Sequence, residues 1–221
     1  MSSNELFKFD RSFNNIIIGT DEAGRGPAAG GVFAAAVYFP ETSDELIKEL
    51  ARLNDSKKLS RKLREELFDT IKNNTINEII CVEVEEIERI NILNSSLKAM
   101  NLACQSVIKR ISDKNNLLVL VDGNRLIKEF PYNQKTIVKG DSKSASIAAA
   151  SILAKVSRDR YMDKLAEECP QYLWDKNAGY LTKQHIEAID KYGLTKYHRP
   201  SFLRKHFRGK INKNNSIELS Y

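Results

Sequence analysis

With 221 residues, 42% of them hydrophobic and 29% charged, the chain has the size and composition of one globular domain, or of one domain with an appendage. No apolar run approaches the roughly 20 residues that span a bilayer, and the N-terminus lacks the basic and apolar regions of a signal peptide, so we expect a cytoplasmic protein with no membrane partner. The three cysteines are scattered, which argues against a disulfide framework and a zinc site, and the net charge of +6 hints at an anionic partner.

The first strong pattern lies at residues 16–27, which have the sequence IIIGTDEAGRGP. The β-branched isoleucines and the glycines favour a buried strand that ends on Asp21 and Glu22. Such a strand end could hold a metal ion, and the glycine backbone could approach a phosphate or a sugar closely. An ordinary polar strand end is the alternative. Because successive strand residues point to opposite faces, the two acids share an ion only if the strand ends or twists between them.

Residues 31–39 predict a second buried strand, paired antiparallel with the first across a short glycine-rich turn. Two amphipathic helices are predicted to follow, at residues 43–53 and 60–73. The polar loop between these helices contains Lys57 and Lys58. This loop is either a solvated connection or a contact for a phosphate group.

A third strand is predicted at residues 78–85, followed by a long helix with Asn94 or Ser95 as its cap. Residues 117–123 then form a second apolar strand that ends on an acid and a glycine. Its acid, Asp122, begins an ordinary turn in the simplest interpretation. Two acid-ended strands in one chain make a shared site the stronger interpretation.

A shorter strand at residues 134–138 leads to Asp141 and then to a long helix over residues 145–168. Asp141 is either a further acid of the same site or the cap of that helix. Asp159 is a rival acid, but it lies four residues after Lys155, and an ion pair on a solvated helix face explains it more simply.

From residue 169 onward the sequence predicts a small helical extension, so we expect a catalytic domain at 1–168 and an extension at 169–221. Residues 192–221 hold seven basic side chains against one acid, which accounts for all of the net charge of +6. A basic, aromatic-rich tail suits a nucleic-acid backbone, and a merely solvated tail is the alternative. The histidines show no metal-ligand spacing and are expected at the surface or in a groove: His185, His198 and His206.

Four candidate carboxylates thus lie at strand ends or before a helix: Asp21, Glu22, Asp122 and Asp141. Sites made of several carboxylates select hard cations, Mg²⁺ or Mn²⁺. Two such ions can stabilise the attacking and leaving oxygens of a phosphoryl displacement. No serine–histidine–aspartate or cysteine–histidine arrangement competes with these acids.

Eight short blocks resemble, in order along the chain, those of ribonuclease HII, the type 2 ribonuclease H of bacteria, and they span about residues 14–203. The blocks are DEAGRGP from Asp21, DSKKLS from Asp55, INIL from Ile90, VDGN from Val121, KGD from Lys139, AAASILAK from Ala148, GY from Gly179 and HRPSF from His198. The resemblance implies an α/β, ribonuclease H-like fold, which is a mixed five-stranded sheet flanked by helices with a small helical C-terminal extension. It also implies that the four acids form the catalytic metal site.

The same resemblance implies an endonuclease that cuts RNA in RNA–DNA hybrids and single ribonucleotides in duplex DNA, and that leaves a 5′-phosphate and a 3′-hydroxyl. Gly24, Arg25, Gly26 and Tyr180 would read the ribose at the junction, and the protein would act as a monomer. Leu181 departs from the family, which more often has Gly or Pro there. Ribonuclease HIII, an actin-like or sugar-kinase ATPase, and a catalytically inactive nucleic-acid-binding module are the alternatives.

Overall fold

The computed structural model describes residues 3–53 and 59–211. Lys57 and Lys58, the candidate phosphate contacts, lie outside the described residues, as does the end of the basic tail from residue 212 onward. No helix in the described part of the chain is long and apolar enough to cross a membrane.

Five strands form one mixed sheet: β1 (Ile16–Ala23), β2 (Val32–Tyr38), β3 (Ile76–Val82), β4 (Leu117–Asp122) and β5 (Gln134–Ile137). Their order across the sheet is β3-β2-β1-β4-β5. β1 pairs antiparallel with β2 and parallel with β4, while β2 and β3 are antiparallel and β4 and β5 parallel. The predicted fold class is therefore confirmed, and so is the antiparallel pairing of the first two strands.

The helices of the described chain are α1 (Ser3–Arg11), α2 (Asp44–Glu49), α3 (Arg61–Asn74), α4 (Val84–Ile90), α5 (Ile92–Arg110), α6 (Ala145–Glu168), α7 (Trp174–Asn177), α8 (Lys183–Tyr192) and α9 (Pro200–Ile211). Short 3-10 helices precede α6 and α7, at Gly140–Ser142 and Pro170–Tyr172.

The two longest helices cover opposite faces of the sheet. On β2, Ala35 and Val37 pack into the cluster of α6, whereas Ala34 and Ala36 pack into the cluster of α5. α6 comes so close to β1 that a Cβ on Gly19 would lie 2.2 Å from the carbonyl carbon of Ser146. The small residues that open α6 permit this approach, so the side chains carried by α6 lie directly against the sheet.

The predicted end of β3 and the predicted cap of α5 are wrong, whereas α6 has the predicted bounds of 145–168. β3 ends at Val82, because α4 starts where the strand was predicted to continue. α5 is capped by Asn91, whose side chain accepts the N–H of Asn94, and asparagine tolerates the φ of 66° found there. α6 is capped by Ser144, whose hydroxyl accepts the N–H of Ile147. Asp141 is therefore not the helix cap.

The chain after α6, residues 170–211, which we call the appendage, folds back over the loop between β1 and β2, residues 24–31. Backbone bonds join the two segments: Ala28 N–H donates to the Gly179 carbonyl at 2.9 Å, Gly30 N–H to Tyr197 at 2.8 Å, and Arg199 N–H to Ala28 at 2.7 Å. An apolar cluster that includes Ala28, Ala29, Trp174 and Leu203 fills the space between them. A domain boundary at residue 168 stays a prediction.

Two buried arginines bind backbone carbonyl groups of the same loop. The guanidinium of Arg158, on α6, donates to the carbonyls of Ala29, Gly31 and Ala178 at 3.0–3.2 Å. The guanidinium of Arg199 donates to the carbonyls of Gly30 and Pro27, at 2.8 and 2.9 Å. Burial lowers the pKa of both groups. Arg199 is 0% exposed, so it does not belong to a solvated basic tail.

The prediction of surface histidines is wrong for two of the three. His185 and His198 are fully buried in the appendage, with their Nε2 atoms 3.2 Å apart. Burial lowers the pKa of both rings, and the neighbouring His185 helps to bring that of His198 to about 4. His206 lies nearer the surface, where its Nε2 is 2.9 Å from a carboxylate oxygen of Asp190.

Replacing Arg199 by lysine keeps the charge but removes the planar fork that reaches two carbonyl groups at once. We expect Arg199→Lys to lower the free energy of unfolding by about 3 kcal/mol, because buried carbonyls lose their donors. Urea denaturation measures the loss, and Arg204→Lys on exposed α9 surface is the matched control, with an effect under about 0.5 kcal/mol. An Arg199→Lys protein as stable as the parent would contradict the role of Arg199 in holding the loop at residues 24–31.

The buried histidines should make the fold less stable in mild acid. His198 stays neutral in the folded protein down to about pH 4, whereas in the unfolded chain it takes up a proton near its ordinary value of 6.5. Since the unfolded chain then binds more protons, stability should fall as pH decreases from about 6.5 to 4, by on the order of 3 kcal/mol. Denaturation of His198→Asn across this range is the reference: its pH dependence should be shallower, and equal slopes would contradict the assignment.

Candidate active site

Asp21 and Glu22 lie near the end of β1, which continues to Ala23, and they point to opposite faces of the sheet. The side chain of Asp21 bonds Ser151 on α6, and its carboxylate also accepts the N–H of Glu22 at 2.7 Å. The side chain of Glu22 bonds Ser96 on α5. The strand therefore does not end between the two acids.

Asp122 is the last residue of β4, the strand beside β1, and Asp141 lies in the 3-10 helix that follows β5. β1 and β4 run parallel with Thr20 opposite Val121, so the next residue on each strand is an acid, Asp21 beside Asp122. The carboxylate of Asp122 accepts the N–H of Gly140 at 2.7 Å. This bond ties the end of β4 to the 3-10 helix that carries Asp141.

The buried acids repel one another. Burial raises the pKa of Asp21 well above its ordinary value, and the negative charges of Glu22 and Asp122 raise it further. Burial also raises the pKa of Glu22, against the opposing effect of Arg25, whose guanidinium is 3.3 Å away. Asp21, Glu22 and Asp122 are thus within electrostatic reach of each other, at a point where negative charge is unfavourable without a cation.

The donor set fits a hard divalent cation. Carboxylate oxygens are the ligands that such ions prefer, and a cation would relieve the repulsion at Asp21. Within the described residues, however, no three carboxylate, imidazole or thiol side chains already converge closely enough to hold an ion. An ion held by these acids would need their carboxylates to come closer together.

A cleft of about 330 Å³ opens beside Asp21 and Glu22. It is also lined by the glycine turn that follows β1 and by Tyr180 of the appendage. A Cβ on Gly26 would lie 3.3 Å from the Tyr180 ring, so ring and turn are nearly in contact. Gly24 has a φ of 100° and leaves no room for a Cβ beside Arg158. The structure thus places the predicted ribose-reading residues next to two of the predicted acids.

The sequence analysis missed three cleft residues on α6: Ser151, Lys155 and Arg158. Their spacing of i, i+4 and i+7 puts them on one face of the helix, which was a detectable signal in an otherwise apolar segment. The rival acid Asp159 accepts from Lys155 at 2.6 Å and lies 3.4 Å from Arg64. Its pairing with Lys155 is confirmed, but the predicted solvated face is wrong, because the side chain of Asp159 is only 13% exposed.

Three comparisons with known proteins identify the family of this chain. The sequence profile of the family Ribonuclease HII matches residues 18–210. A ribonuclease HII of Fusobacterium nucleatum is 50% identical over 203 residues, which are 91% of this chain and 92% of the relative. The crystal structure of the ribonuclease H2 from Pyrococcus horikoshii OT3 is 25% identical, with a TM-score of 0.66, and the match covers 90% of this chain and 99% of that one.

A fourth comparison concerns fold alone. The crystal structure of Bst-RNase HIII in complex with Mn²⁺ is 18% identical with a TM-score of 0.66, and the match covers 96% of this chain but 72% of that one. The family profile, by contrast, matches a range of this chain that contains all four acids, the glycine turn and Tyr180. The chain therefore belongs to the ribonuclease HII family, a family of hydrolytic nucleases of the ribonuclease H type.

Proposed function

We propose that this chain hydrolyses the RNA strand of RNA–DNA hybrids and cuts duplex DNA at a single embedded ribonucleotide, leaving a 5′-phosphate and a 3′-hydroxyl. The observation that carries the proposal is the composition of one cleft. Asp21 and Glu22 line it together with Gly24, Gly26 and Tyr180. Acids suited to metal-assisted hydrolysis and a surface suited to a ribose therefore border the same space.

Asp21, Glu22, Asp122 and Asp141 would hold the divalent ions, and Mg²⁺ and Mn²⁺ both suit these oxygen donors. Two such ions stabilise the attacking and leaving oxygens of a phosphodiester when bound. The Mn²⁺ complex of the structural relative Bst-RNase HIII supports the use of a divalent ion. The bond from Ser151 would restrain Asp21 in such a site, and the bond from the Gly140 N–H would restrain Asp122.

The glycine turn and Tyr180 would recognise the ribose. Glycine amides at Gly24 and Gly26 can reach the 2′-hydroxyl, since no side chain stands in front of them. The Tyr180 ring faces the same turn and would pack on the sugar. The 2′-hydroxyl is the group that distinguishes RNA from DNA at one position, so this contact would set the cleavage site.

Basic side chains would hold the phosphates. Arg25 and Lys155 line the cleft, and Lys57 and Lys58 remain proposed phosphate contacts outside the described residues. The protein would act as a monomer in the cytoplasm. These features are consistent with a role in removing ribonucleotides from DNA.

A DNA duplex with one ribonucleotide, labelled at either end of the cut strand, tests the proposal directly. Incubation with Mg²⁺ or Mn²⁺ should give one cut at the ribonucleotide, and enzymatic treatment of the fragments should reveal a 5′-phosphate and a 3′-hydroxyl. An all-DNA duplex is the control. Absence of cleavage with both ions, or a 2′,3′-cyclic phosphate end, would contradict the proposed chemistry.

Removing one negative charge from the metal site should abolish activity without unfolding the protein. We expect Asp21→Asn, Asp122→Asn and Asp141→Asn each to slow cleavage at least about 100-fold, because metal and transition-state binding lose several kcal/mol. Asp21→Asn should also raise the metal-free melting temperature by a few degrees, since it removes a buried, repelled charge. Single-turnover rates and thermal melts measure the two effects.

Asp159→Asn is the matched control for these variants. It removes an acid that is paired with Lys155 and Arg64, so it should lose stability rather than gain it, and it should keep metal binding. A near-normal rate for Asp141→Asn at saturating Mg²⁺ would remove Asp141 from the site and point to Asp159 instead.

Tyr180→Ala separates recognition from metal chemistry. No metal ligand is lost, so metal binding should be unchanged. Cleavage at a single ribonucleotide should slow more than cleavage of a continuous hybrid, because one 2′-hydroxyl depends most on placement, and an error of about 1 Å can cost on the order of 100-fold. Both rates and the melting temperature are measured. Equal slowing together with a large drop in melting temperature would mean that Tyr180 only packs the appendage.

A further inference from the structure

The hydrogen bonds beneath Tyr180 give the buried histidines a role. We propose that His185 is a positioning residue, which holds the backbone carbonyl of Tyr180 and thereby fixes the angle at which the ring faces the cleft. The proposal rests on the proposed ribose contact of Tyr180. It assigns a specificity-determining role to a side chain that is fully buried and lines no part of the cleft.

The direction of the hydrogen bonds follows from two donors that cannot reverse. The backbone N–H of Thr195 donates to Nδ1 of His198 at 2.9 Å, so Nδ1 carries no proton. The proton of the neutral His198 ring is then on Nε2, which lies 3.2 Å from Nε2 of His185. The indole N–H of Trp174, which can only donate, reaches the same His185 nitrogen at 3.0 Å.

These contacts fix the tautomer of His185. Its Nε2 accepts the indole N–H of Trp174 and shares its single lone pair with the longer contact from His198, so the proton of the neutral ring is on Nδ1. Nδ1 lies 3.0 Å from the carbonyl oxygen of Tyr180 and donates to it. A single directed chain therefore runs from Thr195 through His198 and His185 to Tyr180.

The carbonyl oxygen of Tyr180 accepts two hydrogen bonds, one from the backbone N–H of Thr182 at 2.8 Å and one from Nδ1 of His185 at 3.0 Å. Tyr180 is 53% exposed, and the two preceding residues have left-handed backbone, with φ of 48° at Ala178 and 82° at Gly179. The carbonyls of those two residues are held by Arg158 and by the N–H of Ala28. The bond from His185 completes the series at the residue whose side chain enters the cleft.

Two substitutions separate this bond from general packing. His185→Asn places an amide N–H where Nδ1 stood and can still donate to Tyr180, but it has nothing to accept from Trp174 and His198. His185→Gln does the opposite: its amide oxygen reaches the Nε2 position, and the donor to Tyr180 is lost. Both should lower the melting temperature, since each removes a hydrogen bond from buried groups, although the Tyr180 carbonyl keeps its bond from the Thr182 N–H.

The readout is the ratio of the cleavage rate at a single ribonucleotide to the rate on a continuous hybrid. We expect His185→Gln to lower this ratio by on the order of 10-fold and His185→Asn to keep it within about twofold. In a Tyr180→Ala background, His185→Gln should change the ratio no further, because the group it positions is gone. A ratio that falls equally in both single variants, in step with their melting temperatures, would overturn the proposal.

This design also distinguishes the inference from the function on which it rests. If Tyr180→Ala leaves the ratio unchanged, the ribose role of Tyr180 is wrong and the positioning role falls with it. If Tyr180→Ala lowers the ratio but His185→Gln does not, the positioning role alone is wrong.

Nitrogen-15 NMR of the histidine rings in the unmodified protein tests the arrangement without any variant. The expected spectrum has a protonated Nδ1 on His185 and a protonated Nε2 on His198 near neutral pH. A His185 ring protonated on Nε2 could not donate to Tyr180, and it would overturn the proposal whatever the variants show.

Discussion

The structure depends on a small set of inward-facing carbonyl groups, which two buried arginines hold in place. Arg158 and Arg199 are charged groups that lie against backbone oxygens of the loop at residues 24–31 and of the appendage. A buried guanidinium is costly unless its N–H groups are satisfied, and buried carbonyls are costly without donors. Each side therefore stabilises the other, and the loop after β1 has little freedom to move relative to the helices that follow α6.

The acids at the strand ends, unlike the two arginines, destabilise one another. The bonds at Asp21 and Asp122 hold negative charge where burial and mutual repulsion oppose it. Such an arrangement lowers the stability of the protein, and a cation bound as proposed would offset that cost. α6 carries contacts of both kinds, because its Ser151 bonds Asp21 and its Arg158 bonds the loop after β1. One rigid helix thus links a destabilising site to the contacts that offset it.

Features that depend on residues close together in the sequence could be predicted. They are the apolar strands that lead into acids, the extent of α6, and the pairing of Asp159 with Lys155. What could not be predicted depends on segments distant in sequence. The burial of His185 and His198 arises only when the appendage closes on the loop after β1. Arg199 looked like part of a basic tail because its carbonyl partners, Pro27 and Gly30, lie about 170 residues earlier in the chain. Side-chain type alone does not reveal such partners.

The loop at residues 24–31 consequently has two functions that cannot vary independently. Its first residues, Gly24 and Gly26, face Arg158 and Tyr180 at distances that exclude a side chain at Gly24 and crowd one at Gly26. Its last residues supply the carbonyls that Arg158 and Arg199 bind. A change that relaxed the loop to accept a different sugar would also loosen the arginine contacts, and a change in the appendage would shift the ring over the turn. The proposed discrimination of ribose and the stability of the appendage are therefore coupled through the same eight residues.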